Sequence, residues 1–360
     1  MSKKIFYTPG PSQLFFSVEQ HLKTALFEDI PSISHRSKQF CNVFQETTES
    51  LAELLNLPNG YHLLFTGSAT EIWERIAQNL IGNKSYHFVN GSFGEKFSEI
   101  ASDNGASVSV NNPGFGLDFE VSNIDTEADL ISITLNETSA GFQFSNEKLT
   151  QINRESNNAL IALDVVSIVP AVPIDFSLVD TAYFSVQKCF GLPAGLGVWI
   201  VNDRALERAK KIATTTKYTG SYHSLKSLIA SAYKYQTPET PNVLSIYLLG
   251  KVAQDMIQKG KEMMHRDTSY KAALLYQAFD ENPFLTPFIV NKNNRSKTVC
   301  VADVQSGSQG IIDQFKKTGI VLGSGYGNHK DSQIRIANFP THSKEQIELL
   351  SDRLKSFEPN

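Results

Sequence analysis

Lys188 stands inside "SVQKCFGLPAGLG" (185–197), at the end of a strand-like apolar run and ahead of Gly191, Pro193, Gly195 and Gly197. Lysine is among the least buried side chains, so a lysine at this junction calls for a reason. Backbone this rich in glycine turns tightly or lets a ligand approach closely. An amine held there loses solvation, drops its pKa and becomes a nucleophile. Asp164 closes "ALIALD", a second buried-strand pattern, 24 residues upstream of Lys188. Ligands of open α/β sheets bind at the carboxyl ends of the strands, where an aspartate either caps a turn or meets a cation. "LLFTGSATEIWERIAQ" (63–78) reads as strand, small-residue turn and helix, with Gly67, Ser68, Ala69 and Thr70 at the helix start. Such a turn either caps the helix or cradles a phosphate on its free N–H groups. It is neither a P-loop nor a dinucleotide fingerprint, because the glycine spacing and the lysine of those motifs are missing.

Pyridoxal 5'-phosphate uses all three features at once. It takes a lysine on its aldehyde as a Schiff base, an acid on its pyridinium nitrogen and a cup for its phosphate. The acid keeps the ring nitrogen protonated, so that the ring accepts electron density. The lysine, once displaced by substrate, is placed to move the α-proton.

The elements that must position these residues alternate. Seven strand-like runs fall at 61–66, 86–90, 107–111, 130–135, 160–164, 182–186 and 197–201. Most are continuously apolar, as for strands covered on both faces. Helix patterns lie between them, such as 69–82 with Gly82 as its C-cap. The expected fold is therefore α/β: a large domain whose mostly parallel seven-stranded sheet lies between helices, plus a small α+β C-terminal domain. We place an N-terminal arm at 1–15, the large domain at 16–245, a long connecting helical region at 246–282 and the small domain at 283–360. Strands are expected in the last unit at "FIVN", "KTVCVADV" and "QIRIAN". Its final helix should open on the capping box Ser343-x-x-Gln346. The cleft between the domains is the expected site.

Composition sets the outer bounds. The 360 residues are 41% hydrophobic and 19% charged with a net charge of -4, an ordinary globular balance without a basic nucleic-acid face. No run reaches the ~20 apolar residues of a membrane span. The N-terminus lacks the pattern of a secretory signal, so a cytoplasmic protein is expected. Cys41, Cys189 and Cys300 are too scattered for a metal site or a disulfide framework.

With "SHRSKQF" (34–40), "GSAT" (67–70), "SVQKCFGLPAG" (185–195) and "HKDSQIR" (329–335), the chain resembles the class V, fold-type I pyridoxal-phosphate aminotransferases, and within them the phosphoserine-forming branch. The resemblance runs nearly end to end. It implies Lys188 as the Schiff-base lysine and Asp164 as the pyridinium partner. It makes Ala69, Thr70 and Gln187 phosphate contacts and puts Thr138, in "LNETSAGF", on the ring-hydroxyl side. Phe93 falls where that branch carries a tryptophan stacked on the ring. Thr237, in "YQTPETPNV", would contact the cofactor phosphate of a neighbouring subunit, which implies a homodimer with shared sites; Gln236 replaces the branch's asparagine. Arg335 would grip the substrate α-carboxylate, a role that suits its bidentate fork. The pairs His35-Arg36 and His329-Lys330 would bind the side-chain phosphate, with Lys330 in place of the branch's arginine. The implied substrates are small molecules: phosphoserine, glutamate and their 2-oxo acids, interconverted by transamination in serine biosynthesis.

Three other readings stay open on the residues. A class V aminotransferase acting on serine or alanine with glyoxylate or pyruvate would not need both histidine–cation pairs. A lyase or desulfurase of the same fold would want a mobile-loop cysteine, whereas Cys300 lies in a strand-like run. A cofactor-binding protein without turnover would show no conversion of the cofactor by amino acids.

Overall fold

The continuous apolar runs form a seven-stranded sheet in the computed structural model, which describes residues 4–122, 124–215 and 217–359. In spatial order its strands are Tyr61–Thr66, Gly197–Asn202, Thr181–Ser185, Leu160–Asp164, Leu130–Thr134, Lys84–Phe88 and Ser107–Asn111. Gly197–Asn202 runs antiparallel to both neighbours, and the remaining pairs are parallel. All seven expected strands are present; the one expected at 86–90 spans Lys84–Phe88. Side chains along a strand alternate between faces, and here both faces are covered. Leu63, Ile161 and Phe184 join one core layer, while Leu64, Ala162 and Tyr183 join the other. Helices Lys38–Leu55 and Val243–Lys259 cover the first face. Helices Ala69–Asn79, Ser92–Asp103, Asp203–Ile212 and Leu225–Ala232 cover the second.

Two helix boundaries differ from the sequence expectation. The helix expected over 69–82 ends at Asn79, because the chain turns there and drops Leu80 and Ile81 fully into the core. The long helical region expected at 246–282 is two helices, Val243–Lys259 and Lys261–Glu281. Gly260 breaks it with φ +95°, a conformation that glycine adopts without a Cβ penalty.

A second sheet has five strands in the order Ile5–Tyr7, Ile320–Ser324, Gln333–Ala337, Val299–Val304 and Leu285–Pro287. The strand expected at "FIVN" lies earlier, at Leu285–Pro287, and the chain then leaves the sheet with Val290 exposed. Part of the expected N-terminal arm is itself a strand: Ile5–Tyr7 pairs in parallel with Ile320–Leu322. The helices Lys261–Glu281 and Lys344–Lys355 cover this sheet, with Leu275, Phe279, Ile347 and Leu350 fully buried between them. The final helix opens on the expected Ser343–Gln346 capping box. Among the described residues no helix is long and apolar enough to cross a membrane.

Candidate active site

Three neighbouring strands end together: Thr134, Asp164 and Ser185 are their last residues. The loops beyond them enclose a cavity of about 220 Å³. Ala69, Thr70, Phe93, Thr138, Asp164, Gln187 and Lys188 all line it. Of the cofactor residues expected from the sequence, only Thr237 lies elsewhere.

Lys188 follows its strand by three residues and is 9% exposed. The N-terminal segment crosses over it. Ser12 N–H donates to the Gln187 carbonyl at 3.2 Å, and Phe15 N–H to the Gly191 carbonyl at 2.9 Å. Two glycines make this crossing possible. Gly191 has φ +59°, and a Cβ there would lie 2.6 Å from Phe15 N. A Cβ on Gly10 would lie 2.5 Å from Lys188 Cε. Burial pushes the Lys188 amine down to about 8; the Arg335 charge adds to this, and the Asp164 carboxylate pulls the other way.

Asp164 Oδ1 accepts from Val166 N–H at 3.0 Å. Burial pushes this carboxyl up to about 7; the Val166 amide and Lys188 oppose the rise, and Glu137 assists it. A buried carboxyl of this kind is ready to face a cation. The first turn of helix Ala69–Asn79 lines the same cavity, and its N–H groups have no intrahelical acceptor. Ser68 caps the helix by accepting from Glu71 N–H at 3.1 Å, and Ala69 N–H donates to Ser185 Oγ at 2.9 Å. The Phe93 ring sits at the start of helix Ser92–Asp103, its centroid 5.7 Å from Lys188 Nζ. The buried Glu137 carboxylate fixes that helix start by accepting from Phe93 and Gly94 N–H, both at 3.2 Å.

The lining also fits a polar guest. Asn136 Oδ1 and Gln187 Oε1 belong to residues lining the cavity, are buried, and have no hydrogen-bond partner among the described residues. Buried polar atoms are rarely left so, and two around one cavity mark a place built for a polar guest. A helix N-terminus for a phosphate, a carboxyl for a ring nitrogen and a depressed lysine for an aldehyde are the groups pyridoxal phosphate requires.

Arg335 lies at the rim. Its Nε donates to the Ser324 carbonyl at 2.8 Å and its Nη1 to the Thr138 carbonyl at 3.3 Å. The four other cationic residues read from the sequence, with Thr237, are outside the cavity. His329 stacks on Phe115 with centroids 4.6 Å apart, and Lys330 is exposed. Arg36 Nη1 binds Gln236 Oε1 at 2.7 Å and the Thr237 carbonyl at 2.9 Å, while His35 Nδ1 lies 3.4 Å from Thr240 Oγ1. These residues thus form one patch with the 236–240 segment. Thr237 is 2% exposed, and its hydroxyl donates to the Glu239 carbonyl at 2.7 Å.

Sequence reading missed several members of the site. Gly10 and Pro11, in "FYTPGPSQL", line the cavity. Glu137 adjoins Thr138, yet its role depends on amides more than forty residues away. His223, 7% exposed, joins Glu71 through Nδ1 and faces Glu239 Oε2 at 3.0 Å, off the hydrogen-bond line. It thereby ties the helix at the cavity to the 236–240 segment. Nothing local in the sequence marks that pairing. Cys189 and Cys300 are fully buried with thiols pushed up by burial, so neither offers a mobile-loop nucleophile.

Comparison with known proteins places this geometry among relatives. The model of the family described as Aminotransferase class-V matches residues 8–334. A phosphoserine aminotransferase of Rhodococcus opacus (strain B4) is 30% identical over 331 residues, covering 88% of this chain and 86% of its own. A crystal structure of a phosphoserine aminotransferase from Cytophaga hutchinsonii ATCC 33406 superposes with a TM-score of 0.96 at 43% identity, over 99% of each chain. An alanine–glyoxylate aminotransferase from Nostoc sp. shares the fold, with a TM-score of 0.85 at 20% identity over 99% of this chain and 95% of its own.

Proposed function

The chain belongs to the class-V aminotransferase family, and from that premise we propose that it moves the amino group of glutamate onto 3-phosphohydroxypyruvate, giving 3-phosphoserine and 2-oxoglutarate. It is an enzyme acting on small molecules, with pyridoxal 5'-phosphate as its cofactor. The observation that carries the proposal is the lining of one cavity: the Lys188 amine, the Asp164 carboxyl and the Thr70 helix start surround about 220 Å³. The 43% identity to a phosphoserine aminotransferase, over 99% of the chain, supports the substrate.

Bound pyridoxal phosphate supplies an aldehyde that takes up amines and a ring that accepts electron density from the substrate Cα. Asp164 would hold the proton of the ring nitrogen. Ala69, Thr70 and Gln187 would hold the phosphate, Phe93 would supply an aromatic contact to the ring, and Thr138 would bind on the ring-hydroxyl side. Lys188, its pKa lowered by burial to about 8, would hold and move the substrate α-proton. Arg335 would grip the α-carboxylate and so orient the substrate Cα. Amino donor and acceptor use the same groups in turn, as a ping-pong cycle requires.

His35, Arg36 and Thr237 serve a second copy of the chain in this proposal. Their shared patch lies off the cavity of their own chain, which supports a homodimer whose sites are completed in trans. His329 and Lys330 approach the same substrate phosphate from the smaller sheet. That sheet, with Ile5–Tyr7 and the helix after Gly260, is the proposed small domain. A cytoplasmic setting suits such an enzyme.

The test is a single-turnover experiment. Holoenzyme is mixed with phosphoserine, serine or alanine, and the loss of the bound cofactor's visible band is followed. Faster conversion by phosphoserine is expected. Equal or faster conversion by serine or alanine would overturn the substrate assignment.

A further inference from the structure

Lys96 lies one turn beyond Phe93 on helix Ser92–Asp103, and its Nζ donates to Tyr326 Oη at 2.8 Å, in a loop of the smaller sheet. Residues three apart on a helix share a face, so Lys96 and Phe93 are presented together. Lys96 Nζ is 5.8 Å from the Phe93 centroid and 5.4 Å from that of Tyr326. The two rings are 5.4 Å apart, and each holds one of the site's other cations: Lys188 Nζ is 5.7 Å from Phe93, and Arg335 Cζ is 5.3 Å from Tyr326. Three cations thus gather on two adjoining rings at the mouth of the cavity. Among the described residues Lys96 has no carboxylate partner. Lys330, exposed, makes no side-chain hydrogen bond or ion pair among them, and His329 is stacked against Phe115.

We propose that Lys96, oriented by Tyr326, binds the distal anion of the substrate: the phosphate of phosphoserine and, in the other half-reaction, the side-chain carboxylate of glutamate. This inference rests on the phosphoserine reading above. The chemistry of the side chain suits the task. One site must accept a tetrahedral dianion and a planar monoanion in turn. A guanidinium matches one geometry at a time, whereas an ammonium is a compact charge with donors that rotate. Tyr326 engages one of the three donors and leaves two for the ligand. Lys96 itself is exposed, and the Tyr326 hydroxyl holds it at the mouth of the cavity.

The test compares holoenzyme variants Lys96→Ala, Lys96→Arg and Tyr326→Phe. Single-turnover conversion is measured with phosphoserine, glutamate and alanine, which has no distal anion. Calorimetric titration with inorganic phosphate gives a readout independent of turnover. In Lys96→Ala the preference for phosphoserine and for glutamate over alanine should fall about 10- to 100-fold, the range for a lost hydrogen bond to a charged group. Phosphate affinity should fall in parallel. Lys96→Arg should restore the preference only in part, and Tyr326→Phe should lose part of it. Wild-type preference and phosphate affinity in Lys96→Ala would overturn the inference while leaving the function intact. A wild-type enzyme that converts alanine as fast as phosphoserine would instead overturn the function, and this inference with it.

Discussion

Lys188 and Asp164 line one buried cavity, and burial drives their pKa values towards each other, the amine down to about 8 and the carboxyl up to about 7. Each would be charged in water at neutral pH, and each is held near the point where a ligand decides its state.

The consequence for stability has a definite sign. The ordinary Asp164 value is 3.8 and the folded value is about 7, so the folded apoprotein keeps a proton that the unfolded chain has lost. Where the native state binds more protons, stability falls as pH rises. The melting temperature of apoprotein should therefore decline from about pH 4 to about pH 7 through this group and then level off. Asp164→Asn should remove that part of the slope. In the holoenzyme the same change should cut kcat by about 10²- to 10³-fold, the usual loss for one preorganised electrostatic group. Parallel melting curves for the two apoproteins would contradict the assignment.

Phe93 is expected to act by contact with the cofactor plane. Phe93→Ala should raise the cofactor dissociation constant about 2- to 10-fold, the range for one aromatic stacking contact. Phe93→Trp should bind at least as tightly. Equilibrium dialysis with absorbance detection measures both.

Much of this site was legible because strand and helix signals are local. Apolar runs reported most of the strands, since both sheet faces are covered there, whereas the edge strand Ser107–Asn111 alternates serine and valine and has no buried residue. Asp164 and Lys188 follow such runs directly, and Ala69 and Thr70 follow the strand Tyr61–Thr66 across a two-residue turn. Boundaries were less legible. Leu80 and Ile81 continue an apolar helix pattern, yet both serve the core after a turn. Gly260 breaks a helix that its neighbours would prolong. Ile5–Tyr7 is too short to show a period, and its partner strand begins at Ile320. Contacts such as Lys96 with Tyr326 and His223 with Glu71 depend on chain segments 230 and 152 residues apart, so no window of sequence contains them.

His223 supplies a second pH dependence, of opposite origin. Burial works against its charge but is outweighed by Glu239 and Glu71, which hold the imidazolium up to about 9 against an ordinary 6.5. A raised base stabilises the fold fully below its unfolded pKa, and that contribution is lost as pH rises through the folded one. His223→Gln should therefore be less stable than wild type at pH 6, with the difference shrinking as pH approaches and passes 9. Thermal melts at matched ionic strength decide it. A difference that does not change with pH would mean that His223 acts by packing alone.

The patch of His35, Arg36 and the 236–240 segment makes a prediction about subunit exchange. Arg36→Ala and Lys188→Ala chains should each be severely impaired on phosphoserine alone. Co-expressed, they should form mixed dimers with one intact site, because one chain brings Lys188 and the other Arg36. Activity approaching half of wild type in the purified mixed dimer is expected. No recovery would place Arg36 in service of its own chain.

The most direct measurement sets the acceptors in competition. Holoenzyme is given glutamate with equal concentrations of 3-phosphohydroxypyruvate, glyoxylate and pyruvate, and the initial amino products are separated and quantified. Phosphoserine should dominate, and its excess over glycine and alanine should shrink in Arg36→Ala. A predominance of glycine or alanine would contradict the phosphoserine assignment while leaving the aminotransferase in place.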